Sequence, residues 1–333
     1  MKKNWIVLTT INHPTKAVFE FARIARNRNW GMVVVGDTKT PADWRVDGVD
    51  FLSIEKQDEL FPELSRMLPK KHYARKNLGY LYAMMHGASV IIESDDDNQP
   101  YESFGKNVEI EVCGHLISGA PWANIYKHFS NHDVLIWPRG LPLDAIHEIG
   151  IRSELRSKKC PIKQFLADVD PDVDAIYRLL HKKPFHFEKL KPDIILGDYT
   201  YCPFNSQNTV IHHEAFELLY LPAYVSFRMT DIWRSFVAQR ILWARGMSVS
   251  FHGPTVFQIR NIHNLMKDFD DEVVGYLRNT EIAAVLNRTD IVGLSISESL
   301  SKCYAALRVI NIITEEELLL LEQWIKTLKS FQK

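Results

Sequence analysis

The chain has 333 residues, room for two domains or for one large α/β domain with an appendage at about 150 residues per domain. Hydrophobic residues make up 46% and charged residues 24%, which sets aside the disordered and fibrous classes. With 40 Lys+Arg against 41 Asp+Glu there is no bulk basic field to hold a nucleic acid by its phosphates, so nucleic acid is not expected as a partner.

In chain order, the apolar run over 5–10 predicts a buried first strand and is too short for the core of a signal peptide. Residues 14–26 carry Val18, Phe19, Ala22 and Ala25 at helical spacing, and 32–35 predicts a second strand ending at Gly36-Asp37. A short strand is expected over 50–54 and a helix over 73–86 with a Leu78, Leu81, Tyr82, Met85 stripe. A strand over 89–93 then runs into Asp95-Asp96-Asp97. Alternating β and α units imply a mainly parallel sheet, whose ligands bind beyond the carboxyl ends of the strands.

Residues 100–200 read as loops and short strands around Pro-bearing turns. A helix is expected over 230–245, and Thr314-x-x-Glu317 reads as a capping box opening a helix through Leu328. The expected division is residues 1–267 as the main domain and 268–333 as a helical extension. No apolar run approaches the roughly 20 residues needed to span a bilayer, so a cytoplasmic chain, or one attached peripherally to a membrane, is expected. Four cysteines, Cys113, Cys160, Cys202 and Cys303, lie far apart without a CxxC, which argues against a zinc ribbon or a redox dithiol.

Several site patterns are absent. There is no GxGxxG and no GxSxG; Gly31 and Gly36 have P-loop spacing but are followed by Asp37-Thr38 instead of Lys-Ser/Thr. His147-Glu148 and His213-Glu214 lack the second His of a zinc protease.

Asp95-Asp96-Asp97-Asn98 is the most informative segment. In extended backbone Asp95 and Asp97 present carboxylates to one side, a pair suited to Mn²⁺ or Mg²⁺, which in turn neutralises a diphosphate. An EF-hand does not explain it: with Asp95 as loop position 1, Pro100 falls where Gly is required and Lys106 where the bidentate Glu belongs. The plain alternative is a solvated acidic turn.

The stretch Ala74-Arg75-Lys76-Asn77-Leu78-Gly79-Tyr80, followed by Gly87-Ala88, Val90-Ile91-Ile92 and Asp95-Asp96-Asp97, resembles the helix, strand and acidic motif of type A nucleotide-sugar glycosyltransferases. The likeness implies that Arg75 and Asn77 contact the nucleotide. It also implies that Asp95, Asp96 and Asp97 meet the metal and diphosphate, and that Thr9, Thr10, Ile11 and Asp37 lie near base and ribose. Further blocks narrow it: Val34 to Trp44, Ile136-Trp137-Pro138-Arg139-Gly140, Phe204-Asn205-Ser206-Gln207-Asn208-Thr209, Thr230-Asp231-Ile232-Trp233-Arg234 and Arg260-Asn261-Ile262-His263-Asn264. Together they are similar to the STELLO family. That resemblance implies a Rossmann-like type A glycosyltransferase fold, a UDP-sugar donor such as UDP-glucose, and a metal cofactor. The acceptor, a glycan, lipid or protein hydroxyl, stays open.

Residue roles follow as expectations. Asp231 is the candidate base for an acceptor hydroxyl, or else an N-cap of its helix. His263 is the candidate third metal ligand beside Asp95 and Asp97, with His252 behind it. Arg75 and Lys39 balance the diphosphate, though Lys39 also fits a solvated loop. Trp137 and Arg139 form a sugar platform, unless Trp137 is core. Asn205, Gln207 and Asn208 offer amides to hydroxyls, with His212 and Arg234 as further sugar or acceptor contacts. The rival readings are a UDP-sugar mutase of the reversibly glycosylated polypeptide kind and a non-catalytic sugar-nucleotide-binding scaffold.

Overall fold

The computed structural model describes residues 2–131, 134–181, 183–189, 191–260 and 264–331. Its strands are β1 (Asn4–Thr10), β2 (Gly31–Gly36), β3 (Asp50–Leu52), β4 (Val90–Ser94), β5 (Asn98–Pro100), β6 (Glu111–Ser118), β7 (Arg152–Lys159), β8 (Ile162–Asp168), β9 (Ile194–Leu196), β10 (Asn208–His212) and β11 (Val249–Gln258). They form one sheet in the order β3-β2-β1-β4-β10-β8-β11-β9-β6-β7, with β5 on β11. The α-helices are α1 (Lys16–Asn27), α2 (Ile54–Leu60), α3 (Pro62–Met67), α4 (Lys76–Met85), α5 (Ala175–Leu180), α6 (Thr230–Ala244), α7 (Leu265–Arg288), α8 (Ile296–Val309) and α9 (Glu315–Ser330).

Strands β3, β2, β1 and β4 are parallel neighbours. β10 runs against β4 and against β8, so β8 and its parallel neighbour β11 share the direction of β1. Beyond β11 the strands reverse through β9 and β6, and β7 closes the edge antiparallel to β6. The first unit is therefore a doubly covered parallel sheet, as its uninterrupted apolar runs require. Alternate residues feed opposite layers: Trp5, Val7, Val33 and Val35 pack with Leu78 and Leu81 of α4, whereas Ile6, Leu8, Met32 and Val34 pack with Val18, Phe21 and Ala22 of α1.

α6 is buried along its whole length through Trp243, because it lies between the sheet and the layer of α7, α8 and α9. Leu320, Leu321, Trp324 and Leu328 of α9 join the same core as α4 and α6. Glu317 shows how the layer is tied on. Thr314 caps α9 by accepting from the Glu317 N–H, but the Glu317 carboxylate does not return the bond. It turns inward and accepts from the Tyr220 hydroxyl, the Ala223 N–H at 2.8 Å and the Tyr224 N–H at 2.6 Å. A full capping box is found instead at Ser295 and Glu298 of α8.

The region expected as loops and short strands contains three long strands, β6, β7 and β8. β7 has no apolar signature because it is a solvated edge rich in Arg and Lys. β8 is fully buried yet holds Lys163 and Gln164, whose side chains find carbonyls; that interrupts the apolar run. Among the described residues no helix is long and apolar enough to cross a membrane.

Gly79 lets α4 sit close on the sheet: a Cβ there would stand 2.7 Å from Val7 Cγ1 and 2.7 Å from Val35 Cγ2. Gly79→Ala gains about 1 kcal/mol of helix propensity but overpacks this contact at about 1–3 kcal/mol. Urea unfolding of the variant should show a net loss of stability.

Candidate active site

The carboxyl ends of β1, β2 and β4 open into a cleft of about 560 Å³. One rim is built by short loops after β1 and β2. The Thr40 hydroxyl donates to the Thr10 carbonyl at 2.7 Å and so joins the two strand ends. The Asp37 carboxylate accepts from the Thr38 N–H at 2.6 Å and from the His72 N–H at 3.1 Å, which brings the loop before α4 against β2. Thr9, Thr10, Ile11, Asp37 and Lys39 all line this end, as expected from the sequence, and Asn12, Lys71 and His72 join them. Burial holds the His72 imidazole down at about 4, so it is neutral at physiological pH.

Asp95, Asp96 and Asp97 also line the cleft, but not on extended backbone. They occupy the turn between β4 and β5, closed by the Asn98 N–H donating to the Asp95 carbonyl at 3.3 Å. Asp96 faces the first rim, accepting from the Thr10 hydroxyl at 2.5 Å and the Asn12 amide at 3.1 Å. Asp97 faces the other way, to the Gln258 amide at 3.0 and 3.1 Å. Lys76, fully buried, reaches Asp95 at 3.0 Å and the carbonyls of Ser94 and Ser206. Burial pushes the Asp95 carboxyl up against the pull of Lys76; burial and then the charge of Asp95 push Asp97 up to about 6. Among the described residues no group of three His, Cys, Asp or Glu is arranged to hold a metal.

The far end of the cleft is organised by Arg139. Its guanidinium grips Asp172 at 2.9 and 2.8 Å and Asp231 at 3.0 and 3.1 Å, and it also donates to the Arg228 carbonyl. Burial alone pushes both carboxyls up, but Arg139 overrides it and holds both below the ordinary range. Asp231 lies in the first turn of α6 without capping it, because its carboxylate turns to Arg139. The same carboxylate accepts from the Tyr73 hydroxyl at 3.2 Å and the Ser206 N–H at 3.1 Å. Asn205 and Gln207 line the cleft too; the Asn205 amide donates to Asp172 at 2.9 Å.

Other expected site residues are placed elsewhere. Arg75 touches the cleft, but four of the five N–H groups of its guanidinium are spent on Gln57, Ser65 and the Leu68 carbonyl, so it mainly braces α2 and α3. Asn77 exchanges two hydrogen bonds of 2.9 Å with the Leu221 backbone behind the cleft. Trp137 is core, its indole donating to Asp174 at 2.6 Å. Asn208 binds the Leu166 carbonyl and Thr255 within the sheet, and His212 is buried at the opposite end of β10. Arg234 pairs with Glu93 at 2.7 Å beneath the floor. His252 stacks on Phe165 and pairs with Asp193 at 2.8 Å, away from the cleft. His263 lies outside the described residues.

Two features escaped the sequence reading. Asp168-Val169-Asp170-Pro171-Asp172-Val173-Asp174, just past β8, carries acids at every second position, a signal as visible as the first acidic run. Val169 holds φ +72°, a conformation that costs a β-branched residue roughly 1–3 kcal/mol, at the neck of this loop. The second feature is an aromatic wall: His72 stacks on Tyr73 at 5.5 Å, and Phe227 meets both edge-on at 5.0 and 4.9 Å. Phe227 is 44% exposed and faces the cleft, the position expected of Trp137.

The profile of the family described as STELLO glycosyltransferases matches residues 228–332, from the cleft residue Arg228 through α9. Probable glycosyltransferase STELLO2 of Arabidopsis thaliana is 33% identical over 275 residues, and Probable glycosyltransferase STELLO1 of the same plant is 32% identical over 281. The chain belongs to the STELLO family. The matches take in 76% and 78% of this chain but 35% and 36% of those relatives, so the chain spans about a third of their length. Within this STELLO-family chain the profile and the cleft meet at Arg228, Asp231, Gln258 and Arg260.

Arg139→Gln leaves two buried carboxylates without their counter-charge and should lose about 3–5 kcal/mol in urea unfolding. The exposed Lys39→Gln should stay within about 0.5 kcal/mol of the parent.

Proposed function

We propose that the cleft binds a nucleotide diphosphate sugar, UDP-linked, and transfers the sugar to an acceptor hydroxyl. One observation carries this reading: the acidic turn at the end of β4 opens into the same cleft as the ends of β1 and β2 and as Asp231. The names of the relatives, probable glycosyltransferases, support it.

Asp95 and Asp97 fit a hard divalent cation. Their carboxyls are pushed up by burial, and Asp97 also by its like-charged neighbour, which is the electrostatic condition a cation relieves. Mg²⁺ and Mn²⁺ commonly take one or two protein carboxylates and complete their shell with water and substrate phosphate, so a third protein ligand is not required. When bound, such an ion would neutralise charge on the departing nucleotide. The chain's own residues do the rest. The Thr9 to Asn12 and Asp37 rim offers hydroxyl, amide and backbone groups to base and ribose, and Phe227 offers an aromatic face to an apolar ring face.

Asp231 stands at the acceptor end. Its two oxygens have about four acceptor sites, and they receive Arg139 twice, the Ser206 N–H, the Tyr73 hydroxyl and, at 3.4 Å, the Ser206 hydroxyl. The Tyr73 hydroxyl has one proton and a second acceptor in reach, the Phe227 carbonyl at 3.3 Å. Turning to it frees one acceptor site on the Asp231 oxygen that Arg139 also holds, open to an acceptor hydroxyl. Arg139 keeps Asp231 ionised but weakly basic, which suits a proton taken late, after the sugar–phosphate bond has largely broken.

Thermal melting in UDP with and without Mn²⁺ tests the proposal. Ligand at about 100 times Kd should stabilise the fold by about 2.7 kcal/mol. Asp95→Asn and Asp97→Asn should remove the Mn²⁺-dependent part. No shift with UDP under either condition would overturn the reading. Phe227→Ala should raise the KM for the sugar nucleotide about tenfold, read from initial rates of UDP release; a stacked ring is worth about 1–3 kcal/mol.

A further inference from the structure

Four guanidinium groups, Arg139, Arg178, Arg228 and Arg260, gather past the acidic turn, and their neutralisation is uneven. Arg139 alone takes two carboxylates, Asp172 and Asp231. Arg178 and Arg260 share one, Asp170. Arg260 approaches Asp170 at 3.3 Å, yet its Nε makes no hydrogen bond among the described residues, and its side chain is 11% exposed. Arg228 pairs with Glu272 through Nη2 at 2.8 Å and Nε at 2.9 Å, and both Arg228 and Arg260 line the cleft. Burial, and then the nearby Arg178 and Arg228, bring the Arg260 guanidinium down to about 10, the mark of a cation among cations.

The position of this pole is set by hydrogen bonds. Asp96 points to the Thr10 rim, while Asp97 binds Gln258, whose amide oxygen accepts from Arg260 at 3.2 Å. With a nucleotide on the first rim and its diphosphate at the acidic turn, Arg228 and Arg260 face what lies beyond the diphosphate. We infer that Arg228 and Arg260 recognise an anionic group, carboxylate or phosphate, on the sugar or the acceptor. The inference rests on the nucleotide-sugar reading and names the substrate class: a neutral hexose donor with a neutral acceptor would leave Arg260 without a counter-ion of its own. A guanidinium fork matches both anions, which is why the source is decided by experiment.

Matched ligands that differ in charge provide the test, by isothermal titration on the whole chain. UDP-glucuronate against UDP-glucose reports a charge on the donor. Glucose 6-phosphate against glucose, added to UDP-saturated protein, reports a charge on the acceptor. The anionic member of one pair is expected to bind about tenfold tighter or more, and that pair names the source. Arg260→Gln and Arg228→Gln should each bring the ratio down towards one. Arg260→Lys, which keeps the charge without the fork, should retain part of it and serves where a Gln variant does not fold. Equal affinities within both pairs overturn the inference, as does a preference that survives both Gln variants. An equal loss of affinity for UDP itself also overturns it, since the arginines then serve the donor diphosphate. If UDP does not bind with or without Mn²⁺, the transferase reading fails by itself. Glucose 6-phosphate against glucose on the unliganded protein then still decides the arginine pole: a preference erased by Arg260→Gln supports it, and none overturns it.

Discussion

The double ion pair of Arg139 with Asp172 and Asp231 is the constraint on which the far half of the cleft depends. It joins the loop after β8, the start of α6 and the Trp137-Pro138-Arg139 turn through one guanidinium. Each partner is buried, so each charge would be costly alone; only the complete set is stable. The arrangement leaves Asp231 permanently charged, with its oxygens aimed by donors on several segments. Rigidity of this kind is what a group-transfer site needs, since groups held in place do not have to reorganise as charge develops.

A parallel logic governs the near half. Lys76 pins Asp95 to the Ser94 and Ser206 carbonyls, and Thr10 with Asn12 pins Asp96, so two of the three acids are turned apart instead of repelling freely. Gly79 makes this possible by letting α4 approach the sheet until Lys76 reaches the end of β4. Packing and electrostatics are coupled here: a methyl group added in the helix bears on a carboxylate at the site.

Much of the fold was legible because buried parallel strands are apolar runs and covered helices carry a 3.6-residue stripe. β1, β2, β4, α1, α4 and α6 all show in the sequence within a residue or two apart from the single-turn start of α4. β7 and β8 did not show, one being a polar edge and the other holding buried Lys163 and Gln164. At the site, the acidic run and the first strand ends were readable from type and position. Arg75 and Lys76 were not distinguishable, because they are neighbours and only the phase of α4 decides which one enters the floor. Trp137 stood open between platform and core, and Phe227 gave no signal, for a similar reason: the larger aromatic fills the core, and the smaller one is left facing the cleft.

Sequence alone determined the β–α alternation, the acidic run, the near-neutral charge and the kinship with the STELLO family. None of these depends on more than local order along the chain. Tertiary structure alone decided which charge neutralises which. Asp231 lies 92 residues from Arg139, and Arg260 shares Asp170 with Arg178 across the fold. Coulomb energy and desolvation depend on distances through space and on exclusion of water, and both are fixed only when the sheet and α6 close over the site.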